Sequence, residues 1–333
     1  MRELAENVEV KDYKQGLFLP LCIDLLLPKN PFDADIYLKV GKEMVLFRKK
    51  KLPLSRRRIR AWREMGVKRV YLYVEDHRLY LDYLQSSLPS VMEDRGRTTA
   101  EKARFLYSLS ESFFEEMLRD FSEEMVRRGV GLVQQVIEYL RKGPELGKKV
   151  LKVLSHDFAT YVHLNNVFFL TTSFSLREKL TPGEVRTLAL ASFFHDVGKG
   201  RIPQEILQRP GKLTPAEWKE IKKHPLYSRE ALEQANFTDE RVLRIVEQHH
   251  ETSDGQGYPY GLRAGEIDPG ARLVQICDIF EALCGIRPYR RPLTPYEALR
   301  LMKEEMREKI DWELYRSFVR FLGPDYYRKV LRR

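Results

Sequence analysis

Three copies of one short signal constrain this chain more than any other feature. Thr181-Pro182-Gly183-Glu184, Thr214-Pro215-Ala216-Glu217 and Thr294-Pro295-Tyr296-Glu297 share the pattern Thr-Pro-x-Glu. The Thr caps the free amides of a starting helix, Pro suits the first helical position, and the Glu reaches back to the amide of the capping residue. The chain after residue 150 therefore reads as all-helical. The helix opened by Thr181 delivers His195-Asp196 near its C-terminal end, and the one opened by Thr214 ends around His224, because Pro225 follows. Arg209-Pro210-Gly211 and Ser253 to Pro259 read as loops between helices.

The first ninety residues follow a different pattern. Leu17–Leu27, Ile36–Val40 and Met44–Arg48 read as strands, and Val67–Val74 alternates at its start as a half-buried strand does. Ser55 is placed to cap a helix through Met65, stopped by Gly66. A further helix carries Leu79, Tyr80, Tyr83 and Leu84; His77 stands alone and reads as a surface or packing residue. From Thr98 to about Arg128 the period turns helical, with Phe105, Leu109, Phe113, Met117 and Phe121 every four residues. Gly129–Gly131 and Gly143-Pro144 are expected to break that region into two or three helices. The expected class is α+β overall: a small α+β domain over 1–92, connecting helices over 93–150, and an all-α domain over 151–333.

Composition narrows the function classes. With 333 residues, 43% hydrophobic and 32% charged, the chain is globular in type and long enough for two cores. No apolar run approaches the ~20 residues of a membrane helix; Leu17–Leu27 is broken by Pro20 and Asp24. The N-terminus lacks the apolar segment of a signal peptide, and Cys22, Cys277 and Cys284 form no disulfide framework. A cytoplasmic location without membrane insertion is the expectation. The net charge of +10, densest at Arg48-Lys49-Lys50-Lys51 and Arg56-Arg57-Arg58, brings no zinc-finger spacing or RNA-binding aromatic signature with it. A nucleic-acid polymer is not the expected partner.

The chemistry concentrates elsewhere. Four of the seven histidines fall between positions 195 and 250, and Asp278 lies inside the apolar run Val274 to Phe280, where an unpaired carboxylate is costly. Consecutive helical residues point roughly 100° apart, so His195 and Asp196 address two adjacent metals more readily than one. A carboxylate can bridge two ions; an imidazole serves one. His249 and His250 suit the coordination of a second metal. Nitrogen-rich sites with carboxylates favour Fe, Mn, Zn or Ni over Mg or Ca. A metal pair activates water at neutral pH and holds both oxygens of an in-line displacement, which is phosphoryl chemistry.

These residues also carry a family resemblance. His195-Asp196-Val197-Gly198-Lys199, followed by His249-His250-Glu251-Thr252-Ser253-Asp254-Gly255-Gln256-Gly257-Tyr258-Pro259, resembles the HD-GYP family of bacterial cyclic di-GMP phosphodiesterases. His156 to His163 resembles the opening of that domain, and Asp278 to Leu283 with Arg287-Pro288-Tyr289-Arg290 its closing segment, so the likeness spans about residues 150 to 330. It implies one metal held by His163, His195 and Asp278 and another by His224, His249 and His250. Asp196 would bridge them with the attacking water. It further implies that Lys199, Arg287 and Arg290 contact phosphate, and that Tyr258 lies against substrate or shapes the pocket wall. Some members hold a third metal with a Glu four residues before the first His; here that position is Ala159, so a binuclear site is expected.

The resemblance implies hydrolysis of cyclic di-GMP to pGpG with Fe or Mn, and leaves further cleavage to GMP open. The alternatives are a cyclic-dinucleotide receptor with little turnover, and activity on a related cyclic dinucleotide. Phe32 to Leu38 and Gly66 to Leu72 resemble an uncharacterised domain found ahead of HD-GYP domains, for which a regulatory role and a passive dimerisation or stability role are equal alternatives. A homodimer and a signalling partner protein stay open as partners.

Overall fold

The structure, a computed structural model, describes residues 10–12, 17–27, 33–67, 69–152, 154, 160–207, 209, 211–286 and 291–331. It divides into two compact units, Met1–Ser112 and Phe113–Arg333.

Among the described residues, the first unit is built on five antiparallel strands, β1 (Val10–Asp12), β2 (Phe18–Cys22), β3 (Ile36–Val40), β4 (Glu43–Arg48) and β5 (Arg69–Tyr73), in the order β1-β4-β3-β5-β2. Alternation decides the faces: Val70 and Leu72 are buried, whereas Arg69 is exposed. Phe18, Tyr37 and Met44 form a core cluster, with Tyr73 stacked on Phe18 at 4.6 Å between centroids. The strand expected over 17–27 ends at Cys22 and turns into a 3-10 segment at Ile23–Leu25. Ile23 and Leu25 are buried there; a short apolar run does not distinguish a buried strand from a buried turn.

Ser55 caps α1 (Arg56–Glu64), its Oγ accepting from the Arg58 amide at 3.1 Å, and Gly66 supplies the left-handed residue beyond the helix at φ +79°. In α2 (His77–Glu93), His77 is buried, so it is a packing residue and not a surface one. Arg48 is also removed from the basic surface. It is 2% exposed and donates to the carbonyls of Ala34 (2.8 Å) and Leu52 (3.0 Å), which fastens the start of β3 to the segment after β4. The boundary between the units falls within α3 (Thr99–Arg119).

The second unit is helical: α4 (Glu123–Lys142), α5 (Pro144–Leu151), α6 (Thr160–Arg177), α7 (Pro182–Phe194), α8 (Gln204–Leu207), α9 (Pro215–Ile221), α10 (His224–Gln234), α11 (Glu240–Gln248), α12 (Pro269–Cys284), α13 (Pro295–Glu305) and α14 (Trp312–Leu322). All three Thr-Pro-x-Glu boxes close in both directions, at the starts of α7, α9 and α13. The α7 helix is apolar nearly all round from Leu188 to Phe194, which is the pattern of a fully buried helix. It packs against α4, α6, α11 and α12, and Phe193 meets the rings of Phe113, Phe114 and Phe168. That burial fixes the C-terminal end of α7 in the middle of the unit.

Two expectations about breaks are corrected. The helix that begins at Thr99 stops at Arg119, and Ser122 caps α4, which runs through Gly129 and Gly131 without interruption. Gly129 serves packing instead: a Cβ there would lie 3.0 Å from the Phe193 ring and 3.3 Å from that of Phe194, so its absence lets α4 approach α7 closely. Pro225 likewise starts a helix and does not merely follow one. The box helix ends at Ile221, and His224-Pro225 opens α10, where Pro has no amide to lose. Among the described residues, no helix is long and apolar enough to cross a membrane.

Candidate metal centre

Helix ends and two helix faces bring the expected ligands together. His195 terminates α7, His224 begins α10, and His249-His250 follow α11, while His163 lies on α6 and Asp278 on α12. Two groups form. His163, His195 and Asp278 make one; Asp196, His224, His249 and His250 make the other, with the ligand atoms of each group within 4.8 Å of one another. All are buried except His250, which is partly exposed.

Asp196 lies between the groups. Its backbone has left the helix (φ −111°, ψ 9°), which turns the side chain away from the direction a continuing helix would impose. One carboxylate oxygen, Oδ1, faces His224 Nε2 at 3.0 Å and His249 Nε2 at 3.8 Å. The other, Oδ2, faces His195 Nε2 at 3.4 Å and His163 Nε2 at 3.5 Å, and also meets Lys199 Nζ. Each oxygen thus serves one histidine group. His163 Nε2 is 3.0 Å from Asp278 Oδ1, and His250 Nδ1 is 3.8 Å from Asp278 Oδ2.

Hydrogen bonds at the far side of each ring determine which nitrogen is bare. His195, His224 and His249 direct Nδ1 at the carbonyls of Ser192 (2.8 Å), Ile221 (2.7 Å) and Val246 (2.6 Å). A carbonyl only accepts, so Nδ1 carries the proton and Nε2 of the neutral ring is a lone pair aimed inward. His224 Nε2 and His249 Nε2 then face each other at 3.4 Å, an approach of two acceptors that no hydrogen bond accounts for. His195 Nε2 and Asp196 Oδ1 likewise have no hydrogen-bond partner among the described residues, although both are fully buried. Unsatisfied buried acceptors converging on a common space fit cations. The donor set itself, five imidazoles and two carboxylates, fits transition metals.

Electrostatics agree with this fit. Burial pushes His250 down to about 3, and burial with the neighbouring His250 and His195 pushes His249 well below its ordinary value, so both rings are neutral donors. Burial alone would raise Asp196 and Asp278, but Lys199 and His195 beside Asp196, and His163 beside Asp278, hold both carboxylates ionised. His163 shows the opposite balance. Burial lowers it, yet Glu281 together with Asp196 and Asp278 raises it to about 10. Positive charge is in demand at this point.

Several supporting residues received no role from the sequence. Glu281 is buried on the same face of α12 as Asp278; it contacts His163 Nδ1 and accepts from Asn166 Nδ2 at 2.9 Å. This carboxylate orients the imidazole of His163, and the signal was an acidic residue three positions after Asp278. Glu251 is buried and accepts the amides of Tyr260 (2.6 Å) and Leu262 (2.8 Å), which folds the Gly-Tyr-Pro loop back onto the histidine pair. Ser228 on α10 donates to the His195 carbonyl and accepts the Gly198 amide, both at 2.8 Å. Gly198 and Gly257 fit where no side chain could: a Cβ would lie 2.3 Å from the His224 carbonyl oxygen and from the Thr252 nitrogen, respectively.

The remaining candidates divide by location. Lys199, in the turn Val197–Arg201, pairs with Asp196. The Tyr258 ring lies 4.7 Å from that of His250 and 6.2 Å from that of His224, and so forms a wall of the site. Arg287 and Arg290 lie outside the described residues, as do His156 and Ala159.

Comparisons with known proteins place this segment in a family. The family model described as "HD domain" matches residues 148–314, half of the chain. The chain is 31% identical over 192 residues to "Cyclic di-GMP phosphodiesterase PA4108" of Pseudomonas aeruginosa, covering 58% of this chain and 46% of that protein. It is 35% identical over 145 residues to "3'3'-cGAMP-specific phosphodiesterase 3" of Vibrio cholerae, covering 43% of this chain and 31% of the relative. The chain thus spans half or less of the length of these curated relatives. A solved structure described as "Bd1817, a HDG"Y"P protein from Bdellovibrio bacteriovorus" shares the fold at a TM-score of 0.69 and 19% identity, over 92% of this chain and 99% of that one. The helical unit with its His-Asp pair, and the family match across it, lead to one conclusion: the chain belongs to the HD domain family.

Proposed function

We propose that this protein is a metal-dependent phosphodiesterase that opens cyclic di-GMP to pGpG. The observation that carries the reading is the division of the Asp196 oxygens between two histidine groups, a geometry suited to a bridged pair of cations. The curated relatives are named for phosphodiester hydrolysis of cyclic dinucleotides, which supports the choice of substrate class.

When bound, a metal pair supplies Lewis-acid polarisation of the phosphoryl oxygens and activation of water. The chain's own residues do the rest. Asp196 holds the two groups in register; Glu281, Ser192, Ile221 and Val246 fix the ring orientations by taking the far-side contacts. Lys199, 22% exposed and adjacent to Asp196, is placed to donate to a non-bridging phosphate oxygen as charge develops in the transition state. Tyr258 keeps water off one side, and the family resemblance implies Arg287 and Arg290, outside the described residues, as further phosphate contacts. The displaced 3′-oxygen leaves in line with the attacking water. Iron or manganese suits the nitrogen-rich donors.

A cytoplasmic location is part of this reading, supported by three free cysteines. So is a regulatory first unit, through which a homodimer or a signalling partner would act: both ligand groups among the described residues lie in the second unit. A related cyclic dinucleotide is the second reading, favoured by the relative named as cGAMP-specific. A binding isotherm and a product assay on one metal-loaded preparation, with cyclic di-GMP and 3'3'-cGAMP side by side, test these readings. Tight binding with no linear product would replace the enzyme by a receptor.

A further inference from the structure

Among the described residues, the second unit leaves three large apolar side chains well exposed: Trp218 (46%), Tyr260 (55%) and Ile286 (42%). Single exposed apolar residues are ordinary, but these three share a location in the sequence of the site. Trp218 is on α9, a few residues before His224; Tyr260 is two residues beyond Tyr258; Ile286 follows α12, which carries Asp278. Trp218 is further tied to the centre by contact. Its ring meets that of Tyr258 at 6.1 Å and 79°, and Tyr258 lies on His250.

We propose that Trp218 is a stacking platform for a purine base of the cyclic dinucleotide, an inference that rests on the phosphodiesterase reading above. Histidines, carboxylates and a lysine can hold a phosphodiester, but none of them offers a nucleobase an apolar face. A cyclic dinucleotide carries two flat purines beside its phosphates, and every base has a π-face that an aromatic side chain can engage regardless of its identity. Trp218 presents such a face among the described residues, and nearly half its surface is open. Its helix is also anchored. Glu217, the preceding residue, closes the capping box with Thr214 and pairs with Arg209, so the short helix that presents the indole is fixed at its start. The Tyr258 ring braces it from the side of the metal ligands. Because stacking tolerates base identity, Trp218 serves guanine and adenine alike; it sets preference for dinucleotides over simple phosphates and not for one purine over the other.

The test is equilibrium binding and steady-state turnover of cyclic di-GMP and 3'3'-cGAMP by the metal-loaded full chain, for wild type, Trp218→Ala and Trp218→Phe. Loss of one base stack should weaken binding and raise KM about tenfold for both dinucleotides in W218A, with W218F within about threefold of wild type. The value of kcat at saturation and inhibition by inorganic phosphate should stay unchanged, since the metal ligands are untouched. Wild-type affinity in W218A overturns the proposal, and so does an equal loss of phosphate inhibition, which would mean that Trp218 acts through the metal centre. If the wild type neither binds nor cleaves any cyclic dinucleotide, the underlying reading fails and this inference with it; cleavage with no effect of W218A sinks this inference alone.

Discussion

At the scale of single residues, the centre depends on who holds whom. Asp196 lies between the two histidine groups with one carboxylate oxygen toward each, at 3.0 Å from His224 and 3.5 Å from His163, so Asp196→Ala should abolish turnover and reduce the metal retained after gel filtration. A variant that kept two tightly held metals would show that the bridge is dispensable. Glu281 acts one step away. Removing the carboxylate from His163 Nδ1 frees the ring to rotate, and Glu281→Ala should weaken metal affinity about 10- to 100-fold, read by competition with a chelator. Unchanged affinity would make Glu281 a packing residue. Gly198 tests the frame itself: a Cβ 2.3 Å from backbone atoms of α10 cannot be relieved by a side-chain turn. Gly198→Ala should cost about 2 kcal/mol or more of stability, measured by denaturant unfolding, in the range of overpacked cores. These residue-level supports were largely hidden in the sequence. Glu281 and Glu251 stand inside the motifs, but only the fold reveals that their oxygens face an imidazole and a pair of loop amides. Of the clustered side chains, His195-Asp196, His249-His250 and the carboxylate of Asp278 within its apolar run stood out from the residues themselves, whereas His163 and His224 were indicated as ligands only by the family resemblance.

At the scale of elements, the capping boxes were the clearest signal and the glycines the most misleading. A Thr-Pro-x-Glu box acts through local hydrogen bonds, so its geometry needs nothing from the rest of the fold, and all three formed as written. Gly129 looked like a breaker because propensity is local, whereas its reason is the approach of α4 to Phe193 and Phe194, a contact between distant segments. Pro225 was ambiguous for a related cause: it disfavours a helix before it and suits the first turn of one after it. The boxes also carry a pH dependence. The carboxyl of Glu297 is held down at about 2, first by the Thr294 amide and then by Arg291 and the Thr294 hydroxyl, against an ordinary value of 4.5. A carboxyl with a lower value folded than unfolded stabilises the fold fully above about pH 4.5 and loses that contribution as pH falls toward 2. The melting temperature of Glu297→Ala should therefore lie below that of wild type at pH 7, with the gap narrowing below pH 4.5. A gap that is constant with pH would assign the effect to lost packing or propensity.

At the scale of the whole molecule, a sheet-based unit and a helical unit were both visible in hydrophobic periodicity, and both are present. The boundary was less legible, because α3 is one continuous amphipathic helix and the division between compact units falls inside it. Nothing in a helical period marks where its packing partners change. The basic run near Arg48 shows the same limit, since burial of one of its members against two carbonyls depends on tertiary placement that charge counting cannot reveal. The proposed function rests on the helical unit, and its central claim is a bridged metal pair that cleaves a cyclic dinucleotide. The most direct measurement is an anaerobic reaction of the Fe- or Mn-loaded full chain with cyclic di-GMP, with metal counted and product identified on the same sample. Two metals per chain and conversion to pGpG, lost in Asp196→Ala, are the expected result. Intact cyclic di-GMP with both metals in place would contradict that claim.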